Sequence, residues 1–466
     1  MTDAATFWPL ACTALAEGDY AQGFALLQAG AMISGPEEQA QYVLLAGSLH
    51  ALYGAAALPE LQMSLQEALR LSPALAADPL YLALHAEAET RAGRPTLPPP
   101  AAREAADPLA RFHALSACVL AGHLHEAAAT TLTADELPPH LGWRAAALQA
   151  EAFEGLGDPE QAAALFAQAA AGATGLDRAV MLQEGAALLL AQGQPEEAQK
   201  ALAEARTLHP AAAQDAQDSL NLSTWHYLAA QVALALGRPE EALIEIEHAA
   251  ALETQYGDRS YGVALVRGQV LNTLGRSPEA VECFREAAQL ADPADRSYAL
   301  HELAVAYLDQ DQPLEAREVL QDITRDPAYP FQAEIEADLA ECDYRLGQLG
   351  EAQSGAEQAL RQGAMVPASL VLGNVALEYY RLDEALAHFE RVIQASPEGS
   401  REWLIGQQMA ADILAQQGFQ QPAQVYAYAQ AALQYTPEND EWYPTLQDHL
   451  SRASALIQGG AGRVLN

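Results

Sequence analysis

The sequence predicts an all-α solenoid of about 11–12 helix–turn–helix repeats, with about three quarters of its residues helical against about one third in ordinary globular proteins. Three observations carry that prediction. The chain has 466 residues, more than one ordinary globular core accommodates. It is rich in the helix formers Ala, Leu, Gln and Glu, while only 7% of residues are aromatic and β-branched residues are sparse, so strands have little to be built from. Finally, one local phrase recurs at a nearly fixed period, as an array that grows by repetition requires.

The phrase is a Gly turn followed by a Pro- and Glu-marked helix start and then Ala. It reads Gly157-Asp158-Pro159-Glu160-Gln161-Ala162, Gly193-Gln194-Pro195-Glu196-Glu197-Ala198, Gly237-Arg238-Pro239-Glu240-Glu241-Ala242 and Gly275-Arg276-Ser277-Pro278-Glu279-Ala280. Looser copies are Asp311-Gln312-Pro313-Leu314-Glu315-Ala316 and Gly347-Gln348-Leu349-Gly350-Glu351-Ala352. From Gly157 to Gly193 is 36 residues, from Gly237 to Gly275 is 38, and the steps to Asp311 and Gly347 are 36 each. The step from Gly193 to Gly237 is 44, which predicts an added loop over residues 211–223. The phrase has a physical reason. Glycine ends one helix cheaply in the left-handed region. Proline opens the next with its φ already helical. Glutamate suits the positive end of the new helix dipole, and alanine lets the two helices approach closely.

Weaker copies fill the rest of the chain. Gly18-Asp19-Tyr20 with Leu27 marks one near the N-terminus, Leu61, Leu65, Ala68 and Pro73 another, and Gly122 with Ala127 a third. Between them Pro95, Pro98, Pro99 and Pro100 prevent a regular helix. That segment predicts a shortened second helix ending near Asp107 and a bend between blocks. Gly418 with Pro437 marks the last repeat, and residues 442–457 read as an amphipathic helix capping its apolar face. The expected organisation is therefore an N-terminal block at 1–106, a main array at 107–437, a capping helix at 438–458 and a flexible tail at 459–466, where Gly459-Gly460-Ala461-Gly462 stands.

These residues resemble the tetratricopeptide (TPR) repeat family. Its pattern of Ala, a large apolar residue four later and Ala three beyond that is met by Ala162, Phe166 and Ala169, by Ala198, Leu202 and Ala205 with Pro210, and by Ala280, Phe284 and Ala287. Leu372-Gly373, Ala385, Phe389 and Pro397 fit it best. The first-helix Trp of the family is replaced, by Ala146, Leu182, His226, Ala264, Leu300 and Ser369. The resemblance implies a right-handed superhelix in which the first helix of each repeat lines a concave groove that binds extended peptides or partner helices. On that register the groove residues are Tyr227, Gln231, Gln269, Asn272, His301, Glu302, Glu334, Asp338, Glu341, Asn374, Glu378, Gln408 and Asp412, with Arg144, Glu151 and Glu154 in similar places nearer the N-terminus. The set is amide-rich and acidic. Amides can bond a peptide backbone and carboxylates can pair with Lys or Arg. The basic residues with which some relatives grip a C-terminal carboxylate are missing.

Charge narrows the partner further. The net charge is −38, from 62 acidic and 24 basic residues, and Lys200 is the single lysine. Such a chain lacks the clustered cations that nucleic acid or an anionic membrane surface requires, and it attracts basic partners. No stretch approaches the ~20 apolar residues of a transmembrane helix. Residues 1–19 carry no basic residue and do not read as a secretory signal. Cys12, Cys118, Cys283 and Cys342 lie far apart, so no zinc module or disulfide framework is expected, and a cytoplasmic setting is.

No phosphate loop, nucleophile elbow or zinc-protease motif is present. His123-Leu124-His125-Glu126 is the densest ligand-type cluster, but His residues two apart do not share a helix face. The acidic pairs Glu37-Glu38, Glu196-Glu197 and Glu240-Glu241 fall at helix starts and are explained by the dipole. The expectation is thus no catalytic residue, no metal and no cofactor. The function expected is a scaffold or adaptor that binds a protein or peptide, basic by preference, with self-association also open to it. The alternative is a ligand- or peptide-sensing regulatory module acting through a partner.

Overall fold

A computed structural model describes residues 7–257 and 259–461. Among the described residues there are 25 α-helices and no strand, and the chain is 79% helical. It divides into two compact units, Met1–Asp258 and Arg259–Asn466.

In the first unit the helices pair as α1 (Phe7–Ala16) with α2 (Tyr20–Ile33) and α3 (Pro36–Leu52) with α4 (Leu58–Leu71). Then come α5 (Pro79–Arg91), α6 (Pro100–Arg103), α7 (Pro108–Leu120) and α8 (Leu124–Ala128). Regular hairpins resume with α9 (Pro139–Gly155) and α10 (Pro159–Gly172), α11 (Gly175–Ala191) and α12 (Pro195–Leu208), and α13 (Ala216–Ala235) and α14 (Pro239–Tyr256). The second unit holds α15 (Tyr261–Thr273) with α16 (Ser277–Leu290), α17 (Arg296–Asp309) with α18 (Pro313–Ile323) and α19 (Gln332–Arg345) with α20 (Leu349–Gln362). It ends with α21 (Met365–Glu378) and α22 (Leu382–Ala395), α23 (Arg401–Gln416) and α24 (Pro422–Leu433), and α25 (Trp442–Ala461).

The recurring phrase does what its chemistry requires. Gly157, Gly193, Gly237, Gly275 and Gly347 all take φ between 70° and 77°. Asp311 and Tyr380 hold the equivalent turns at φ 55° and 56°, without the freedom glycine has there. The alanine of each phrase is wholly buried: Ala162, Ala198, Ala242, Ala280, Ala316, Ala352 and Ala385 are all 0% exposed. Four residues on, Phe166, Leu202, Ile246, Phe284, Leu320 and Phe389 are buried beside the first helix. These are TPR-like hairpins. The first helices also pack on one another, as in α11 on α13, α15 on α17, α17 on α19 and α19 on α21.

Three sequence expectations change in detail. Residues 211–223 are not mainly loop: Asp215 accepts a hydrogen bond from the Asp218 N–H at 2.9 Å, and α13 runs 20 residues from Ala216. The extra length of that repeat thus goes into its first helix. The Pro-rich segment does reduce its second helix to α6, four residues long, and Asp107 caps α7. The core nevertheless runs through it, since one cluster joins Leu44, Leu84, Leu115 and Leu141. The final helix continues to Ala461, past the expected end at 458, while residues 462–466 lie outside the described residues.

Candidate partner-binding site

In the second unit the first helices bring seven of the predicted residues into two adjoining cavities. The larger, of about 610 Å³, lies between α15, α17 and α19 and includes Gln269, His301, Glu302 and Glu334. The other, of about 330 Å³, is built from α17, α19, α21 and α23 and includes Asp338, Glu341 and Asn374. Val305 lines both. The face is concave, because Asp309 on α17 and Arg401 on α23, 92 residues apart, approach to 3.4 Å across it.

The larger cavity has a wall that sequence reasoning missed. Tyr329 and Phe331 come from the connection between α18 and α19, and Tyr298 from α17. Their rings meet edge to face, with centroids 5.0 Å apart for Tyr298–Tyr329, 5.6 Å for Tyr329–Phe331 and 6.0 Å for Tyr298–Phe331. Tyr329 is buried, whereas Phe331 is 45% and Tyr298 37% exposed. Asp295, Glu302 and Glu334 add three carboxylates to the lining, and among the described residues no Lys or Arg is part of it. Tyr261 stands on the α15 side. The signal in the sequence was Tyr329-Pro330-Phe331, aromatic residues outside any helical spacing and so not explained by packing within a hairpin.

Hydrogen bonds hold this wall in place. The Tyr329 hydroxyl lies 2.7 Å from His301 Nδ1, and His301 Nε2 lies 2.8 Å from an Asp338 carboxylate oxygen. Gln269 donates to Glu302 at 2.8 Å. Burial, then the charges of neighbouring groups including Glu302, Asp338 and Glu334, pushes the Tyr329 phenol well above its ordinary range, so the hydroxyl keeps its proton and can donate.

The second cavity is less acidic than the predicted groove residues alone implied. Arg345 and Arg401 line it beside Asp338 and Glu341, and Arg345 Nε donates to Glu341 at 2.7 Å. Of the remaining predicted residues, Asn272 donates to Asp309 at 3.2 Å, on the rim. Glu378 is exposed and interacts with the Tyr344 hydroxyl, raising that phenol after burial. Gln408 is buried and reaches Thr436, so it packs between repeats and does not face a groove. Asp412 accepts from His449 of α25 at 3.1 Å, which fastens the terminal helix. In the first unit, Gln231 donates to Tyr227 at 3.0 Å on α13. There Arg144 stacks on Trp143 and donates to Tyr20 at 3.2 Å, tying α9 to the N-terminal hairpin.

A second polar cluster deserves comparison with a hydrolytic triad. Ser48 Oγ lies 2.6 Å from His113 Nε2, and His113 Nδ1 lies 2.8 Å from Glu87 Oε2. That is the order nucleophile, base, orienting carboxylate. Burial decides against chemistry: Ser48 and Glu87 are 1% exposed and His113 0%, so no substrate reaches the hydroxyl. Glu87 also accepts from Ser116 at 2.9 Å and from Arg91 at 2.7 Å. The cluster joins α3, α5 and α7, and the second helices that follow α5 and α7 are short, four residues in α6 and five in α8.

No protein-family model and no curated protein matches the chain. Solved structures do. A tetratricopeptide repeat protein from Parabacteroides merdae is 13% identical over 59% of this chain and 98% of its own, with a TM-score of 0.45. PilF of Pseudomonas aeruginosa is 20% identical over 49% of this chain and 96% of its own, with a TM-score of 0.38. The Cut9–Hcn1 complex of the APC/C contains a chain 10% identical over 91% of this one and 97% of its own, with a TM-score of 0.40. Among the described residues no helix is long and apolar enough to cross a membrane.

Proposed function

We propose that this array of TPR-like repeats is a non-catalytic scaffold that binds a basic protein segment along the first helices of its second unit. The observation that supports the reading is the cavity walled by Tyr298, Tyr329 and Phe331 and charged by Asp295, Glu302 and Glu334. Ring faces and carboxylates around one space favour a Lys or Arg side chain. A cation over an aromatic face contributes about 0.5–2 kcal/mol, more as water is excluded. The neighbouring cavity, with Asn374 and both charge signs, suits the adjoining peptide backbone and its polar side chains. With a net charge of −38 the chain also draws cationic partners from a distance. The setting proposed is the cytoplasm, where cysteines as widely spaced in sequence as Cys12, Cys118, Cys283 and Cys342 suit a reducing compartment.

The difficulty is that any strongly acidic protein binds polycations weakly, so the test has to separate a pocket from a field. Fluorescent Arg- and Lys-containing peptides, with Glu-containing peptides as controls, are titrated into the protein. The double variant Tyr298→Ala with Phe331→Ala changes no charge, and it should weaken basic-peptide binding about tenfold, equal to about 1.4 kcal/mol. Glu315→Lys with Glu318→Lys, on exposed positions of α18, should leave affinity within about twofold. Unchanged affinity in the aromatic variant together with a large loss in the α18 variant would reject the groove.

A further inference from the structure

We infer that His226, Glu245 and His248, in the last hairpin of the first unit, form a binding site for a divalent transition-metal ion of the zinc class. Nothing in the sequence pattern led there: the register placed His226 at the family's Trp position, and no metal was expected. Folding supplies the third ligand. Glu245 and His248 are three apart on α14 and therefore share one helix face. His226 projects from α13, the helix paired with α14.

The geometry is close to what a metal requires. One donor atom from each residue lies within 4.8 Å of the other two. His226 Nδ1 and a Glu245 carboxylate oxygen are already 2.6 Å apart, and the rings of His226 and His248 have centroids 5.1 Å apart. Tetrahedral zinc with bonds of about 2.0–2.2 Å places its ligand atoms roughly 3.3 Å from one another. The close pair must therefore open by about 0.7 Å and the widest pair close by at most about 1.5 Å, within reach of side-chain rotation. The proton now shared between His226 and Glu245 would leave as the metal replaces it. Two imidazoles and a carboxylate are ligands that zinc accepts readily, with water in the remaining position.

The orientation of His226 is constrained. Its ring packs edge-on against Trp225 at 5.0 Å, and the Trp225 indole N–H donates to the Leu202 carbonyl at 2.8 Å. His226 and Glu245 are partly buried while His248 is exposed, so an ion can enter from the His248 side. A bound ion would cross-link α13 to α14, and this site is independent of the peptide groove.

The test uses the full chain freed of metal with a chelator. Zn²⁺ is titrated calorimetrically, and Co²⁺ is added as a spectroscopic probe of a site with imidazole ligands. We expect one strong Zn²⁺ equivalent per chain, an intense visible Co²⁺ band typical of tetrahedral coordination, and a raised unfolding temperature with saturating Zn²⁺. His248→Ala removes an exposed ligand without disturbing packing. It should weaken Zn²⁺ binding by at least about tenfold and abolish the Co²⁺ band. Glu245→Gln should act likewise, while His123→Ala with His125→Ala should change neither readout. Absence of a strong equivalent, or a strong equivalent that survives both His248→Ala and Glu245→Gln, overturns the inference.

Discussion

Glu87 shows how much one residue can carry when its partners are distant in sequence. Burial alone would raise its carboxyl, but hydrogen bonds and charge from His113 and Arg91 outweigh burial and hold it below the ordinary 4.5. Its removal leaves His113 buried without its acceptor, whereas Arg91 keeps some access to water, with 17% of its side chain exposed. Glu87→Ala should therefore cost about 3 kcal/mol, the lower end for a broken buried pair, measured by urea unfolding at pH 7. The pH dependence follows from the sign of the shift. A carboxyl depressed in the folded state contributes stability above its unfolded value and loses that contribution as pH falls through its folded value. Wild type should thus lose more stability than Glu87→Gln as pH drops below 4.5. None of this was legible in the sequence, because Glu87, His113 and Ser48 share no local pattern. The turn glycines and the 0%-exposed alanines were legible, because each depends only on its neighbours along the chain.

At the scale of the hairpin, the sequence specified helix pairs well and their lengths less well. Helix starts carry chemical markers, and Pro159, Pro195, Pro239, Pro278 and Pro313 all lie in first turns. The extension of α13 carries no such marker beyond Asp215, so its sequence reads as loop. Close approach within a hairpin gives a direct test. A Cβ on Gly268 would stand 2.5 Å from Phe284 Cε1, which no real contact tolerates, and Phe284 is fully buried with little room to retreat. Gly268→Ala improves helix propensity by about 0.8–1 kcal/mol, yet overpacking costs about 1–3 kcal/mol, so the net effect should be destabilising. Amide exchange should quicken in α15 to α18 and remain as in wild type in α23 to α25, because each repeat of a solenoid packs on its neighbours alone. Equal loosening throughout the second unit would contradict local packing.

At the scale of the whole chain, the excess of acid and the shaped cavity would act on different steps of the proposed binding. The groove register located seven of thirteen residues in the two cavities, but it missed the aromatic wall and the two arginines because neither follows the repeat. It also counted as free several acids that are internally bonded: Glu302 by Gln269, Asp338 by His301 and Glu341 by Arg345. The remaining attraction is largely a long-range field, screened over about 8 Å at physiological ionic strength. A field of that kind accelerates encounter without holding the bound partner. Under the proposed reading, ring contacts, being short-ranged, would retain the partner once it is seated. For a basic peptide followed by stopped-flow fluorescence, raising the salt should therefore slow association steeply and leave dissociation nearly unchanged. Tyr298→Ala with Phe331→Ala should do the reverse, quickening dissociation about tenfold at every salt concentration while association stays close to wild type. If the aromatic variant instead slows association and its effect disappears at high salt, the rings serve only to shape the acidic field, and the cavity is not where the cation is held.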